Sequence, residues 1–277
     1  MDTSVQTDLA ELFRGLHHGE RILILPNAWD VATARVFEEA GFPAVATTSA
    51  GIANALGYPD GERISRAEML AMVERIARHL SVPVTADMEA GYSGTLDGLA
   101  ETARLVVASG AVGLNLEDTV AGAEALLYDI ELATDRVRAV RESAAAAGVP
   151  LVINARTDVF LGQIGEPGTR LEHAVRRANA YREAGADCLF VPGVRDTDTI
   201  ATLAREIDGP INVLAVPGAP SVPELEQLGV KRVSVGSGPA RAALSLMQRI
   251  ARELKTSGTY DGFAGVMTHA EANELLS

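Results

Sequence analysis

Pro83-Val84-Thr85-Ala86-Asp87-Met88-Glu89-Ala90-Gly91-Tyr92 is a short apolar run that ends in two carboxylates one residue apart, then a glycine turn. Val112-Gly113-Leu114-Asn115-Leu116-Glu117-Asp118 repeats the theme. A third run, Leu151-Val152-Ile153-Asn154-Ala155-Arg156-Thr157-Asp158, ends in an arginine. Strands that carry acids and an arginine at their C-terminal ends build a site for a metal ion and an anion.

The same pattern extends in both directions. Strands are expected at Ile22–Leu25, Ala44–Thr47, Val82–Ala86, Val112–Leu116, Leu151–Ala155, Cys188–Val191, Ile211–Leu214 and Arg232–Val235. Helical patterns lie between and after them at Val31–Ala40, Arg66–Leu80, Leu96–Ser109, Thr134–Ala147, Arg170–Ala184, Thr197–Ile207, Val222–Leu228 and Pro239–Lys255. Repeated strand–helix units imply parallel strands. Eight of them suggest an α/β fold of the closed (β/α)8, TIM-type barrel kind, with chemistry at the C-terminal ends of the strands. An open doubly wound sheet is the runner-up, but no GxGxxG turn follows the first strand. Gly41, Gly110, Gly148, Gly185 and Gly229 each follow a helical run, where a left-handed cap favours glycine. Ser65 and Glu68 have capping-box spacing.

The chain has 277 residues, 47% of them hydrophobic and only 4% aromatic. That suits one barrel domain over 1–277, with an extension from about 258 whose Tyr260, Phe263, Val266 and Met267 pack on the barrel or on a neighbouring subunit. A formal charge of −13 argues against nucleic acid and against anionic membranes. The single cysteine, Cys188, excludes an intrachain disulfide and reads as a buried small hydrophobe. With no basic-led apolar N-terminus and no run of ~18 apolar residues, a soluble cytoplasmic protein is expected.

Asp87 and Glu89 face one way if the segment is extended. Glu117 ends the fourth strand, and Asp60 lies in the loop after the second. Four carboxylates at one barrel end repel unless a cation shares the space. All-oxygen ligation suits Mg²⁺, with Mn²⁺ as an alternative. Any one acid alone reads better as a helix cap or solvated loop residue. Arg156 offers a planar grip on a carboxylate or phosphonate, or support for a developing enolate oxygen; its alternative is a salt bridge to Asp158 or Glu117. Thr47-Thr48-Ser49-Ala50-Gly51 reads as an anion nest or as an ordinary loop. Asn154 and Asn212 are either site residues or polar barrel filler. Trp29 is a candidate cap for one side of the pocket, and Asp30 a helix cap.

Leu56-Gly57-Tyr58-Pro59-Asp60, Ala86-Asp87-Met88-Glu89-Ala90-Gly91-Tyr92, Gly113-Leu114-Asn115-Leu116-Glu117-Asp118, Asn154-Ala155-Arg156-Thr157-Asp158 and Tyr181-Arg182-Glu183-Ala184-Gly185-Ala186-Asp187 together resemble the isocitrate lyase/phosphoenolpyruvate mutase superfamily. The resemblance spans about Ile22 to Ala251. It implies a (β/α)8 barrel with its last helix exchanged between subunits, in homodimers or homotetramers. It implies Mg²⁺ and small 2-oxo acids or phosphonate analogues. By it, Asp87 maps to the metal aspartate, Glu89 and Glu117 to the second and third acids, and Asp60 to the outer acid. Arg156 maps to the substrate arginine, and Thr48, Ser49 and Ala50 to the loop that holds the substrate anion.

One departure narrows the chemistry. Lyases of this family carry a Lys-Lys/Arg-Cys-Gly-His loop after the fourth strand. Here Thr119-Val120-Ala121-Gly122-Ala123-Glu124-Ala125-Leu126-Leu127-Tyr128-Asp129 has no cysteine, histidine or lysine. Cleavage of 2-methylisocitrate or isocitrate therefore lacks its usual acid. Decarboxylation of a 2-oxo diacid such as oxaloacetate needs less: a metal to polarise the ketone, Arg156 and Glu117 beside the forming enolate, and water or Tyr92 to protonate it. Phosphonopyruvate hydrolysis or carboxyphosphonoenolpyruvate mutase-like chemistry at a P–C bond is a second reading. A 2-oxo acid binding protein without turnover is a third.

Overall fold

The computed structural model describes residues 2–123 and 126–277. Glu124 and Ala125, within the loop that follows Glu117, lie outside the described residues.

In chain order the elements begin with α1 (Thr3–Leu16), β1 (Leu23–Leu25), β2 (Asn27–Ala28), α2 (Val31–Glu39), β3 (Val45–Thr47), α3 (Ser49–Ala55) and α4 (Arg66–His79). They continue with β4 (Val84–Asp87), α5 (Leu96–Ala108), β5 (Gly113–Glu117), α6 (Ile130–Ala146), β6 (Val152–Arg156) and α7 (Arg170–Glu183). The last are β7 (Cys188–Phe190), α8 (Thr197–Glu206), β8 (Ile211–Leu214), α9 (Val222–Gln227), β9 (Arg232–Ser234), α10 (Gly238–Thr256) and α11 (His269–Leu275).

All strand pairs are parallel, in the order β1-β9-β8-β7-β6-β5-β4-β3-β2. The two ends of that order, β1 and β2, are separated in sequence only by Pro26. They are one strand broken at a residue without an N–H, and its two halves close the ring. The Pro26 carbonyl still accepts from Ala46 N–H at 2.9 Å, so the ladder runs through the break. Asn27 reinforces the closure. Its Nδ2 donates to the Thr47 carbonyl at 2.9 Å, and its Oδ1 accepts from the Val235 and Gly236 N–H groups, both at 2.9 Å.

The helices cover the ring with one apolar stripe each. On α4 the buried residues are Met69, Leu70, Val73, Ile76 and Ala77, the three- and four-residue spacing of a single face. Each large side chain so buried contributes about 2 kcal/mol. The Ser65–Glu68 capping box forms as expected. All five glycines expected at helix ends have left-handed φ, from +81° to +106°. Cys188 is buried, and burial pushes its thiol up to about 12.

Three helices extend the sequence reading. α1 buries Gln6, Ala10 and Phe13 and closes the end of the barrel where the strands begin. Gln6 Nε2 donates there to the Val107 and Ala111 carbonyls at 2.8 and 2.9 Å. α3 replaces the expected nest: Thr48 is its N-cap. α11 docks on α2, where Arg35 Nε donates to the Leu275 carbonyl at 2.9 Å. Tyr260, Phe263, Val266 and Met267 remain exposed. Among the described residues no helix is long and apolar enough to cross a membrane.

Candidate active site

A cavity of about 280 Å³ opens at the C-terminal ends of the strands. Asp60, Asp87, Glu89, Glu117 and Arg156 line it, as do Thr48, Ser49 and Ala50. The structure thus brings together every acid and the arginine read from the strand ends. An adjoining cavity of about 300 Å³ shares Asp60, Glu89 and Glu117 and extends beneath Thr119–Ala123.

Asp87 is the last residue of β4, and both of its oxygens are engaged. Oδ2 accepts from Ser49 N–H at 2.9 Å and from Ser49 Oγ at 2.8 Å. Oδ1 accepts from Asn115 Nδ2 at 3.3 Å. Its own N–H donates to Thr47 Oγ1 at 2.9 Å. The carboxylate is therefore fixed from α3 and β5, and its backbone from β3.

Glu89 reaches the same cleft by a different route from the extended alternation expected. The chain leaves the strand after Asp87, and Glu89 has a φ of +49°. This left-handed turn, rather than a two-residue strand period, aims the side chain. Oε2 accepts from Glu62 N–H at 2.8 Å and Oε1 from the Tyr92 hydroxyl at 3.0 Å. Burial, with the charges of Asp87 and Asp60, raises the Glu89 carboxyl to about 7. Asp60, at the solvent edge of the cleft, is also held above the ordinary carboxylate range, first by the surrounding protein and then by Asp87.

Arg156 ends β6 between two carboxylates. Nε and one Nη donate to the two oxygens of Asp158 at 2.6 and 3.0 Å, and the other Nη donates to Glu117. Three of five N–H donors are so engaged, leaving two. Burial opposes its charge, but Glu117 and Asp158 outweigh it and hold the guanidinium above its ordinary pKa. Burial raises Glu117, against the pull of Arg156. Both salt bridges anticipated for Arg156 form. Asp158 is positioned in turn by Asp118, which accepts its N–H at 3.0 Å and is bound by Tyr181 and Arg177 at 2.7 and 3.1 Å.

Three sequence candidates lie off the cavity wall. Tyr92 sits behind Glu89. Asn212 is buried in the barrel, where it bonds Ser234 at 3.1 Å. Trp29 packs against α3, so closely that a Cβ on Gly51 would lie 2.8 Å from Trp29 Cβ. Asp30 caps α2. The reading missed Asn27, Asn115 and Glu62, whose roles depend on neighbours distant in sequence. It missed Arg232 as well. This arginine is fully buried beneath the site, 3.4 Å from Asn115 Oδ1 and 3.5 Å from His17 Nε2, and burial lowers it to about 10.

Among the described residues, no three acid, histidine or cysteine side chains converge as a ready-made metal cage. The all-oxygen side chains around Asp87 are the donor chemistry that Mg²⁺ takes, with one or two carboxylates bound directly and several waters kept. After burial, the Asp87 charge raises both Asp60 and Glu89, and a shared cation relieves that repulsion.

The chain matches the family model described as phosphoenolpyruvate phosphomutase over residues 13–255. It belongs to the isocitrate lyase/phosphoenolpyruvate mutase superfamily. Among relatives in this superfamily, an uncharacterized Mycobacterium tuberculosis protein is 37% identical over 87% of each chain. An oxaloacetate decarboxylase of Rhodopseudomonas palustris is 30% identical over 84% of this chain and 80% of its own. The crystal structure of a putative lyase/mutase from Burkholderia cenocepacia superposes with a TM-score of 0.91 at 38% identity, covering 98% of this chain and 96% of the other. The superfamily's relatives are enzymes, lyases and mutases among them.

Proposed function

We propose that this protein is a Mg²⁺-dependent enzyme that breaks a carbon–carbon bond in a small 2-oxo acid, with oxaloacetate decarboxylation as the leading reaction. The observation that carries it is Asp87, held at both oxygens in a cleft with three further acids and one arginine. Mg²⁺, when bound, supplies a Lewis acid that polarises the 2-oxo group. Asp87 would hold the ion directly, with Asp60, Glu89 and Glu117 reached through water. Two relatives support the choice of ligands: oxaloacetate acetylhydrolase was solved with its product oxalate, and phosphonopyruvate hydrolase with oxalate and Mg²⁺.

The residues divide the work. Ser49 is committed to Asp87, so Thr48 and Ala50 are the proposed contacts for the substrate carboxylate at that wall. The two remaining donors of Arg156 stabilise negative charge as it develops on the 2-oxo oxygen. Tyr92 reaches the cleft only through Glu89, so a proton from its hydroxyl arrives by way of Glu89 Oε1. The loop after Glu117 carries no acid of the lyase type, which favours a reaction that expels CO₂ over one that must protonate a large leaving fragment.

A direct assay tests this. Pyruvate should form from oxaloacetate faster than with Mg²⁺ alone, and Asp87→Ala should remove the excess. A wild-type rate equal to that of free Mg²⁺ rejects the reaction. Phosphate release from phosphonopyruvate would select P–C bond hydrolysis in its place.

We further propose that α10 is exchanged between subunits. Leu244, Met247 and Leu254 are 52%, 53% and 43% exposed, while only Ala240 and Ile250 of this helix are buried.

A further inference from the structure

The cleft has two unlike sides. Asp60, Asp87, Glu89 and Glu117 come from the strand ends and loops of β3 to β5. Across the ring, Leu161, Phe190, Pro192 and Leu214 come from the ends of β6, β7 and β8. Leu161 lines the cavity and is 48% exposed, which places it at the cleft mouth. The wall is held in place by backbone: a Cβ on Gly193 would lie 2.8 Å from Leu161 N, so the loops after β6 and β7 touch main chain to main chain. Among the described residues lining this cavity Arg156 is the single cation, and Glu117 and Asp158 already hold it. A receptor for a second carboxylate needs a cation or converging donors; Ser234, Gly236 and Ser237 line the cavity farther on, at the end of β9, but Leu161, Phe190, Pro192 and Leu214 supply neither.

We infer that this wall receives the end of the 2-oxo acid remote from its 2-oxo group, and that it selects for a remote group that leaves or stays uncharged. The inference rests on the 2-oxo acid reading above and deepens it. A carboxylate set against Leu161, Phe190 and Leu214 loses hydration without a compensating partner. In decarboxylation the C3–C4 bond breaks and its electron pair becomes the C2–C3 double bond of the enolate. C4 departs as neutral CO₂, and C3 then takes a proton. Charge leaves the wall as the reaction proceeds, so the wall opposes the ground state more than the transition state. Substrates whose remote carboxylates survive the reaction gain nothing there.

The test compares wild type with Leu161→Arg and Leu161→Ala, using Mg²⁺-loaded protein: calorimetric binding for the acids that are not turned over, and KM with kcat from pyruvate formation for oxaloacetate where it is. Oxaloacetate and 2-oxobutanoate differ at the remote carbon, a carboxylate against a methyl; oxalate is too short to reach the wall. Wild type should bind 2-oxobutanoate at least as tightly as oxaloacetate. Leu161→Arg should reverse that order, tighten oxaloacetate by roughly tenfold and lower kcat by a similar factor. Oxalate binding should stay within about twofold in all three proteins. An unreversed order, or a kcat that rises with the tighter binding, overturns the inference. Should wild type bind these acids without releasing CO₂, the decarboxylation reading fails while the binding order still decides the role of the wall. Should it bind neither acid, both readings fall.

Discussion

Asp158 accepts two hydrogen bonds from Arg156, two residues before it, at 2.6 and 3.0 Å. The pair fixes the guanidinium plane at the end of β6, and Asp118 fixes Asp158 from behind. Removing one partner leaves a buried charge uncompensated, so Asp158→Ala should cost about 3 kcal/mol in urea unfolding. Thr119→Val, which removes only the 2.6 Å bond to Asp158 Oδ2, should cost about 1 kcal/mol. Equal losses in the two variants would contradict this account of Arg156.

Asp87→Asn keeps the shape of the side chain and removes its charge. Ser49 can still bond the amide oxygen, and loss of the 3.3 Å bond from Asn115 Nδ2 is offset by relief of repulsion among the acids, so the apo protein should unfold within about 1 kcal/mol of wild type. The rise in Tm on adding Mg²⁺ should disappear. A variant that still gains wild-type stabilisation from Mg²⁺ would remove Asp87 from the metal site.

His17 sets an acid limit on stability. Its Nδ1–H donates to the Phe13 carbonyl at 2.8 Å while Nε2 faces Arg232, so the neutral ring is the form the fold accommodates. Burial, then the Arg232 charge, lowers its pKa from 6.5 to about 3. Below its ordinary pKa the unfolded chain binds a proton that the folded chain refuses. Stability therefore falls as pH drops from 6.5 toward 3, by up to about 1.4 kcal/mol per pH unit. Urea midpoints of wild type and His17→Gln at neutral and mildly acidic pH check this; an equal acid loss in both proteins rules it out.

Gly193 has a φ of +94°, and a Cβ there would stand 2.9 Å from Leu161 Cα. Neither backbone can yield cheaply. Gly193→Ala should destabilise by about 2 kcal/mol and, by displacing Leu161, shift KM and kcat for oxaloacetate together. An unaltered KM would show the two loops to be independent.

The exposed apolar face of α10 predicts self-association. Light scattering should give a dimer or tetramer, and Leu244→Lys with Met247→Lys should shift it toward monomer. A monomeric wild type would dispose of the exchange.

Much of the barrel was legible because short continuous apolar runs, buried on both faces as parallel strands are, alternate with stretches of helical period near 3.6, and the acids stand where those runs end. α1 escaped because its stripe of Gln6, Ala10 and Phe13 includes a polar member whose amide is satisfied only by carbonyls about a hundred residues on. The Thr47–Gly51 stretch reads as a loop by composition, yet Thr48 makes it a helix start. Glu89 reached the expected cleft through a left-handed turn that no strand pattern encodes. Asn27 and Asn115 went unread because their partners lie on other strands. Local spacing reports which face a side chain takes, not which distant group it meets.

The broken strand at Pro26 also bears on how the chain acquires its shape. Asn27 must wait for Val235 and Gly236, 208 and 209 positions later, before its amide is satisfied. Contacts so remote form slowly, because the intervening chain must be confined first. Until β9 exists, β1 has no partner on that side, and the emerging polypeptide is an open sheet with two bare edges. A fragment stopped before Val235 is thus not a smaller version of this protein but an aggregation-prone precursor of it.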